Sequence, residues 1–212
     1  KKVGMHSGKY RLQKVKVIGG EKTKEALHKE SGISVVLDVE KCYFSVRTGS
    51  ERLRIAKQIK KEERVLVMFS GIGIFPLVFS KHSKATEIIG VEWNPTAHKY
   101  AKENVVKNKA RDVRLFKGDV RKIILTLGKF DRVVMPLPKE AIKYLPTALR
   151  TVKKDGMIHL YMFLHENEIS DVKKVIDPIM KKAKKKYRIV RKVKCGNFAS
   201  RVCRVCVDVK VF

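Results

Sequence analysis

The chain has 212 residues, 44% of them apolar, and a formal net charge of +28 from 49 Lys and Arg against 21 Asp and Glu. That length allows one substantial core and a small appendage, while the charge exceeds what solubility requires and points to a polyanionic partner, nucleic acid first. No apolar run approaches the roughly 20 residues of a membrane span and no signal-peptide pattern opens the chain, so a soluble, cytoplasmic protein with no membrane partner is expected.

Residues 9–46 alternate short β-like runs, Leu12 to Ile18 and Ile33 to Val39 among them, with turn signals at Gly19-Gly20 and Ser31-Gly32. They predict a small strand-rich module over residues 1–48, and residues 49–212 a larger domain. From Ser50 the pattern turns helical, with Leu53, Ala56 and Ile59 at spacing three and Thr48 or Ser50 available as a cap. Strands then follow at 64–69, 87–92, 113–116, 130–135 and 156–163, separated by helices near 74–82, 95–108, 120–126 and 139–150. This alternation predicts an α/β fold with a doubly wound, largely parallel, Rossmann-like sheet. After His165 a lysine-rich helix runs to about Lys186, its lysines reading as a solvated face. Two runs, 187–194 and 200–211, close the chain as an antiparallel hairpin across Gly196-Asn197. Cys203 and Cys206, three apart on a strand, fall on opposite faces, so neither a zinc knuckle nor another metal site is expected. The chain opens on Lys1 rather than methionine, so a further N-terminal portion is expected.

Ligands of parallel sheets bind at the carboxyl ends of the strands. The first such end carries Phe69-Ser70-Gly71-Ile72-Gly73-Ile74-Phe75, with an acid, Glu92, standing 21 positions beyond Gly71. Glycines let the backbone approach a ligand, and the acid can accept from ribose hydroxyls. Phe75 and Pro76 stand where a nicotinamide fingerprint continues to its third glycine, so a nucleoside without pyrophosphate fits better. The next ends carry Glu92-Trp93-Asn94-Pro95 and Gly118-Asp119-Val120, where Trp93 can line an adenine slot and Asp119 accept from the adenine amine or cap a helix. The last carries Pro136-Leu137-Pro138-Lys139, whose prolines fix the backbone and strip it of donors, the mark of a shaped acceptor pocket. It offers no side chain to hold an exocyclic amine, so a ring nitrogen or another centre needing a separate base is the expected acceptor.

Five ordered blocks then carry a resemblance: Lys9-Tyr10-Arg11-Leu12-Gln13, residues 38–47 (Asp38-Val39-Glu40-Lys41-Cys42-Tyr43-Phe44-Ser45-Val46-Arg47), Ser50-Glu51-Arg52, Glu92-Trp93-Asn94-Pro95, and residues 131–139. Together they resemble the archaeal and eukaryotic tRNA (guanine-N1)-methyltransferases that modify the guanosine 3′ of the anticodon, position 37. The resemblance implies a methyltransferase sheet, S-adenosylmethionine as cofactor, tRNA as partner with no obligatory protein partner, and a further N-terminal domain that grips the tRNA. It also implies Glu51 as general base, Arg11 as the cation beside the reacting guanine, and Tyr43, Arg47, Arg52 and Lys139 as RNA contacts. Guanine N1 keeps its proton near neutrality, so a carboxylate must take it while a cation steadies charge on O6. Two positions depart from the pattern. Val67 stands where the family has an acid, and Pro136 where many members have asparagine, which implies a tricyclic wyosine precursor as an additional substrate. Transferases of the aminocarboxypropyl group, built on the same scaffold, come second, and a non-catalytic tRNA-binding protein third.

Overall fold

The structure, a computed structural model, describes residues 1–212, the side chains of Met5 and His6 apart. Its centre is a seven-stranded sheet. Four strands, Arg64–Met68 (β5), Glu87–Glu92 (β6) and Phe130–Met135 (β8), rich in buried aliphatic residues, and the edge strand Val113–Lys117 (β7), pair in parallel, and the long Val152–His165 (β9) joins β8 in the same sense. Tyr187–Ala199 (β10) and Val202–Val211 (β11) complete it antiparallel, in the order β10-β11-β9-β8-β5-β6-β7. This is the predicted α/β sheet. The order reverses between β5 and β8, and the crevice at such a switch point is where ligands bind.

Alternation along the strands divides the core between two faces. Leu66, Met68, Leu160 and Met162 point to one side, where they pack on Ala141–Leu149 (α5) and Val172–Lys182 (α6). Val65, Val67 and Tyr161 point to the other, towards Gly49–Ala56 (α1), Ile74–His82 (α2) and Pro95–Lys107 (α3). Cys203 and Cys206 divide the same way, one in each layer. Val120–Ile123 (α4) continues as a 3₁₀ turn over Ile124–Thr126.

Two hairpins precede the sheet: Lys2–Ser7 (β1) with Leu12–Val15 (β2), and Glu25–Glu30 (β3) with Ile33–Asp38 (β4). Ser31 and Gly32 both take positive φ (46° and 71°), the primed turn that suits a two-residue hairpin loop. Ile33, Val35 and Leu37 of β4 enter the same apolar layer as α2. Asn104 of α3 and Asn108, which caps its C-terminal end one turn further on, bond the backbone of β4. The Asn104 Oδ1 accepts from Val36 N at 2.7 Å and its Nδ2 donates to Val36 O at 3.0 Å, while Asn108 makes the equivalent pair with Ser34 at 3.0 and 2.7 Å.

Two expectations are corrected. The closing hairpin turns at residues 200–201, not at Gly196-Asn197, because Gly196 (φ 111°) lets β10 bulge and continue to Ala199. Neither Thr48 nor Ser50 caps α1 with its side chain, since the Thr48 hydroxyl is taken by Ser45 O and Arg52.

Candidate active site

A cavity of about 460 Å³ opens at the reversal of strand order. Its lining unites the strand-end residues Phe69, Gly71, Phe75, Glu92, Trp93, Asn94, Asp119, Val120, Pro136, Pro138 and Lys139 with Arg11, Tyr43 and Arg52 from earlier in the chain. Among the described lining residues Glu51, Arg47 and Gly73 are absent.

Glu92 ends β6, and its two oxygens accept from Gly71 N and Asn94 N, both at 2.7 Å. These bonds follow from backbone shape. Phe69 (φ 60°), Gly71 (φ 57°) and Gly73 (φ 85°) turn the chain off β5, so that the amide of Gly71 faces the neighbouring strand end. A side chain on Phe69 in the left-handed region is strained, and its ring is seated edge-on against Tyr144 at 4.9 Å. Burial pushes the Glu92 carboxyl above its ordinary value, with the amides of Asn94, Gly71 and Trp93 opposing. Gly73 serves packing: a Cβ there would lie 3.3 Å from Ala101 of α3. Gly90 on β6 is glycine for a similar reason, since a Cβ would meet Ser70 Oγ at 2.9 Å. Sequence reading passes over it.

The flanking acids and amides are engaged. Asn94 caps α3 by accepting from Thr96 N at 3.0 Å, and its Nδ2 donates to Lys41 O at 2.9 Å, fastening the 38–45 loop beside the cavity. Asp119 caps α4 through Arg121 N at 2.9 Å, and the Arg121 guanidinium holds its carboxyl below the usual range. The tip of the first hairpin covers the opening. Tyr10 meets Trp93 edge-on at 6.4 Å, Lys9 lies over both rings, and the Arg11 guanidinium sits 4.8 Å above Tyr43.

Three residues given roles from the resemblance differ in how open they are. Arg52, expected to touch RNA, is only 1% exposed. It is forked onto Glu30 at 2.6 and 2.5 Å, because a guanidinium shut from water requires a carboxylate. Arg47 is exposed in the turn before α1, outside the cavity wall. Glu51, expected as the base, is buried under the wall. Its oxygens accept from Arg54 Nε and Nη2, both at 2.7 Å, and from the Tyr161 hydroxyl at 3.1 Å. Tyr161 lines the cavity, so it alone joins Glu51 to that wall among the described contacts.

Behind Glu51 a chain of buried polar contacts crosses the molecule. Arg54 Nη1 donates to Asp208 at 2.7 Å, Asp208 pairs with His159 Nδ1 at 2.6 Å, and His159 Nε2 meets Arg132 Nη1 at 2.7 Å. Arg132 ends on Glu63 at 2.8 Å. An arginine can only donate, so Nε2 accepts and the proton sits on Nδ1, facing Asp208. His159, Cys206 and Asp208 lie within metal-ligand distance of one another. The Arg54 guanidinium, however, reaches both Cys206 Sγ (3.4 Å) and Asp208, placing a cation where an ion would sit.

Comparison with known proteins agrees with this architecture. Residues 26–191 match the TRM5/TYW2 methyltransferase domain. The chain is 36% identical over 206 residues to the tRNA 4-demethylwyosine(37)-methyltransferase Taw21 of Saccharolobus solfataricus, covering 96% of this chain and 76% of that protein. It is 39% identical over 161 residues to the tRNA (guanine(37)-N(1))-methyltransferase Trm5b of Pyrococcus abyssi, covering 76% of this chain but 47% of Trm5b, about half the relative's length. The crystal structure of M. jannaschii TYW2 in complex with AdoMet superposes with a TM-score of 0.85 at 31% identity, over 92% of this chain and 89% of that one. With its switch-point cavity and its match along most of the sequence, the chain belongs to the TRM5/TYW2 methyltransferase domain family.

Proposed function

We propose that the chain transfers the methyl group of S-adenosylmethionine to the purine at position 37 of tRNA, with N1 of guanosine as principal acceptor. The observation that carries this reading is the meeting of two sets of residues on one cavity: the Glu92 end of β6, and Arg11 with Tyr43, contributed by the first 48 residues. Residues 1–48 then form the support for the acceptor, and residues 49–212 the cofactor domain.

The cavity suits an adenosyl group. A single carboxylate between two loops matches a ribose diol, apolar Ile72, Ala97 and Val120 offer walls for a flat ring, and a negative Glu92 at this place disfavours a phosphate. Phe69, Gly71, Phe75, Trp93, Asn94 and Asp119 complete that wall, Asp119 reaching the adenine amine by sharing its carboxylate with Arg121. When bound, S-adenosylmethionine supplies an electrophilic methyl carbon on a sulfonium centre. Arg11, its plane set against Tyr43, steadies negative charge on the purine oxygen. Glu51 accepts the N1 proton by way of the Tyr161 hydroxyl, which hands its own proton to Oε1 as it takes one from the base. Pro136 and Pro138 hold the base in a slot without competing amide donors. Lys139 and the exposed Arg47 meet phosphates.

A second reading has its own support. The Pro-Leu-Pro loop offers no side-chain amide for the pairing edge of guanine, and Taw21 aligns with nearly the whole chain. A tricyclic base, whose edge is closed by a third ring, loses no hydrogen bond in such a slot. Incubation of tRNA carrying guanosine or 4-demethylwyosine at position 37 with labelled cofactor, followed by nucleoside mass analysis, tests both. An increment of one methyl on guanosine supports the first reading, and one on the tricycle alone the second. The larger aminocarboxypropyl increment would overturn methyl transfer. Both Glu51→Gln and Tyr161→Phe are expected to lower turnover by about 10²-fold or more with cofactor affinity retained.

A further inference from the structure

Past the cavity mouth, at the carboxyl end of β9, three side chains stand together on one face of the antiparallel edge. Arg204 of β11 is paired in register with Phe163 of β9, and its guanidinium lies 5.8 Å from the Phe163 ring centre. The bulge at Gly196 brings Phe198 of β10 onto the same ring, stacked at 4.0 Å with planes 26° apart. Phe163 is tied to the acceptor loop, its N–H donating to Pro138 O at 3.2 Å. Phe198 keeps an open flank, 58% exposed, and Arg204 lines the cavity while its Nε, shut off from water, has no hydrogen-bond partner among the described residues.

We propose that Phe163, Phe198 and Arg204 form a stacking platform for one unpaired nucleobase next to the target nucleotide, with Arg204 donating to the phosphate that joins the two. The assignment rests on the tRNA reading above and deepens it. A stacked aromatic pair flanked by an arginine is the recognition unit of single-stranded nucleic acids, because every base presents a π-face and its backbone a negative charge. Other exposed apolar side chains, such as Ile18, Val46 and Val106, lack an aromatic stack and a cation over it. A second copy of this chain makes a poor occupant, since each carries a net charge of +28 and Arg201 and Lys194 stand on the same hairpin. The platform lies where a base neighbouring an extruded purine would be left without its stacking partner.

The test uses anticodon stem-loop RNA with 2-aminopurine at the nucleotide 5′ or 3′ of position 37. Wild-type protein is expected to quench the probe at one of these positions. Phe198→Ala should abolish that quenching and raise KM for RNA about tenfold, with kcat and cofactor affinity within twofold of wild type, while Phe198→Trp should restore both. Retained cofactor binding shows that the variants are folded. If wild type modifies the RNA and Phe198→Ala matches it in KM and quenching, the platform is overturned and the tRNA reading stands. If wild type neither binds nor modifies the RNA, the tRNA reading falls and the platform with it.

Discussion

In the proposed reading, Glu92 is the residue on which cofactor recognition turns. The amides of Gly71 and Asn94 fix both its oxygens at 2.7 Å, and its burial raises the carboxyl's affinity for a proton. Ribose hydroxyls and a proton then compete for one group. Removing the acceptor in Glu92→Ala should weaken S-adenosylmethionine binding by about 10- to 100-fold, the loss of charge-assisted hydrogen bonds worth about 1.5–3 kcal/mol. In wild type the affinity should fall on acidification at a pH above the ordinary glutamate range. Calorimetric titrations across pH measure both effects. Glu92 was legible in the sequence, because spacing from a glycine turn places an acid on the next strand end. Arg52 was not, because it stands on α1 while its partner Glu30 comes from the β3–β4 hairpin, and nothing local distinguishes a buried arginine from one facing RNA.

Among the elements, α3 does two tasks through one stripe of side chains. Its N-terminal Asn94 pins the 38–45 loop, and further along Asn104 and Asn108 treat β4 as though the helix were another strand. Asn104→Ala would leave the backbone N–H and C=O of Val36 without partners in a poorly solvated place. It is expected to cost about 2–3 kcal/mol in urea unfolding, and to loosen the cavity wall that the loop supplies. The strands and helices themselves were readable from aliphatic runs and turn residues, since burial between two helical layers leaves parallel strands continuously apolar. The asparagine ladder was not, although the spacing of four was visible, because an amide that bonds a distant backbone has no periodic signature. The closing turn was misplaced for a related reason: glycine at positive φ serves a bulge as well as a turn, and only the pairing register separates the two.

On the scale of the whole molecule, the buried chain from Tyr161 to Glu63 makes stability depend on pH. Desolvation holds His159 below its ordinary value, and Asp208 lies well below the carboxylate range because His159 and Arg54 offset its burial. Both groups bind protons more weakly folded than unfolded. Stability is therefore full at neutral pH and declines as pH falls below about 6.5, where unfolded histidine titrates, by up to about 1.4 kcal/mol per pH unit per proton. Asp208 adds to the decline below about pH 4. Thermal midpoints measured from pH 7.5 to 5 should drop accordingly, and His159→Gln, which cannot titrate, should give a flatter profile whatever its absolute midpoint. A steep profile retained in that variant would place the titrating group elsewhere.

The fork of Arg54 between Glu51 and Asp208 carries a consequence for how such a chain can change over time. One cation answers two acids far apart in the sequence, one on α1 and one on β11, so a neutral residue at position 208 leaves the guanidinium with Glu51 as the remaining carboxylate of the fork. Replacements on β11 are thereby felt by the acid beneath the cavity, and the tolerance of Asp208 to substitution is set by what the opposite end of the fork is required to do.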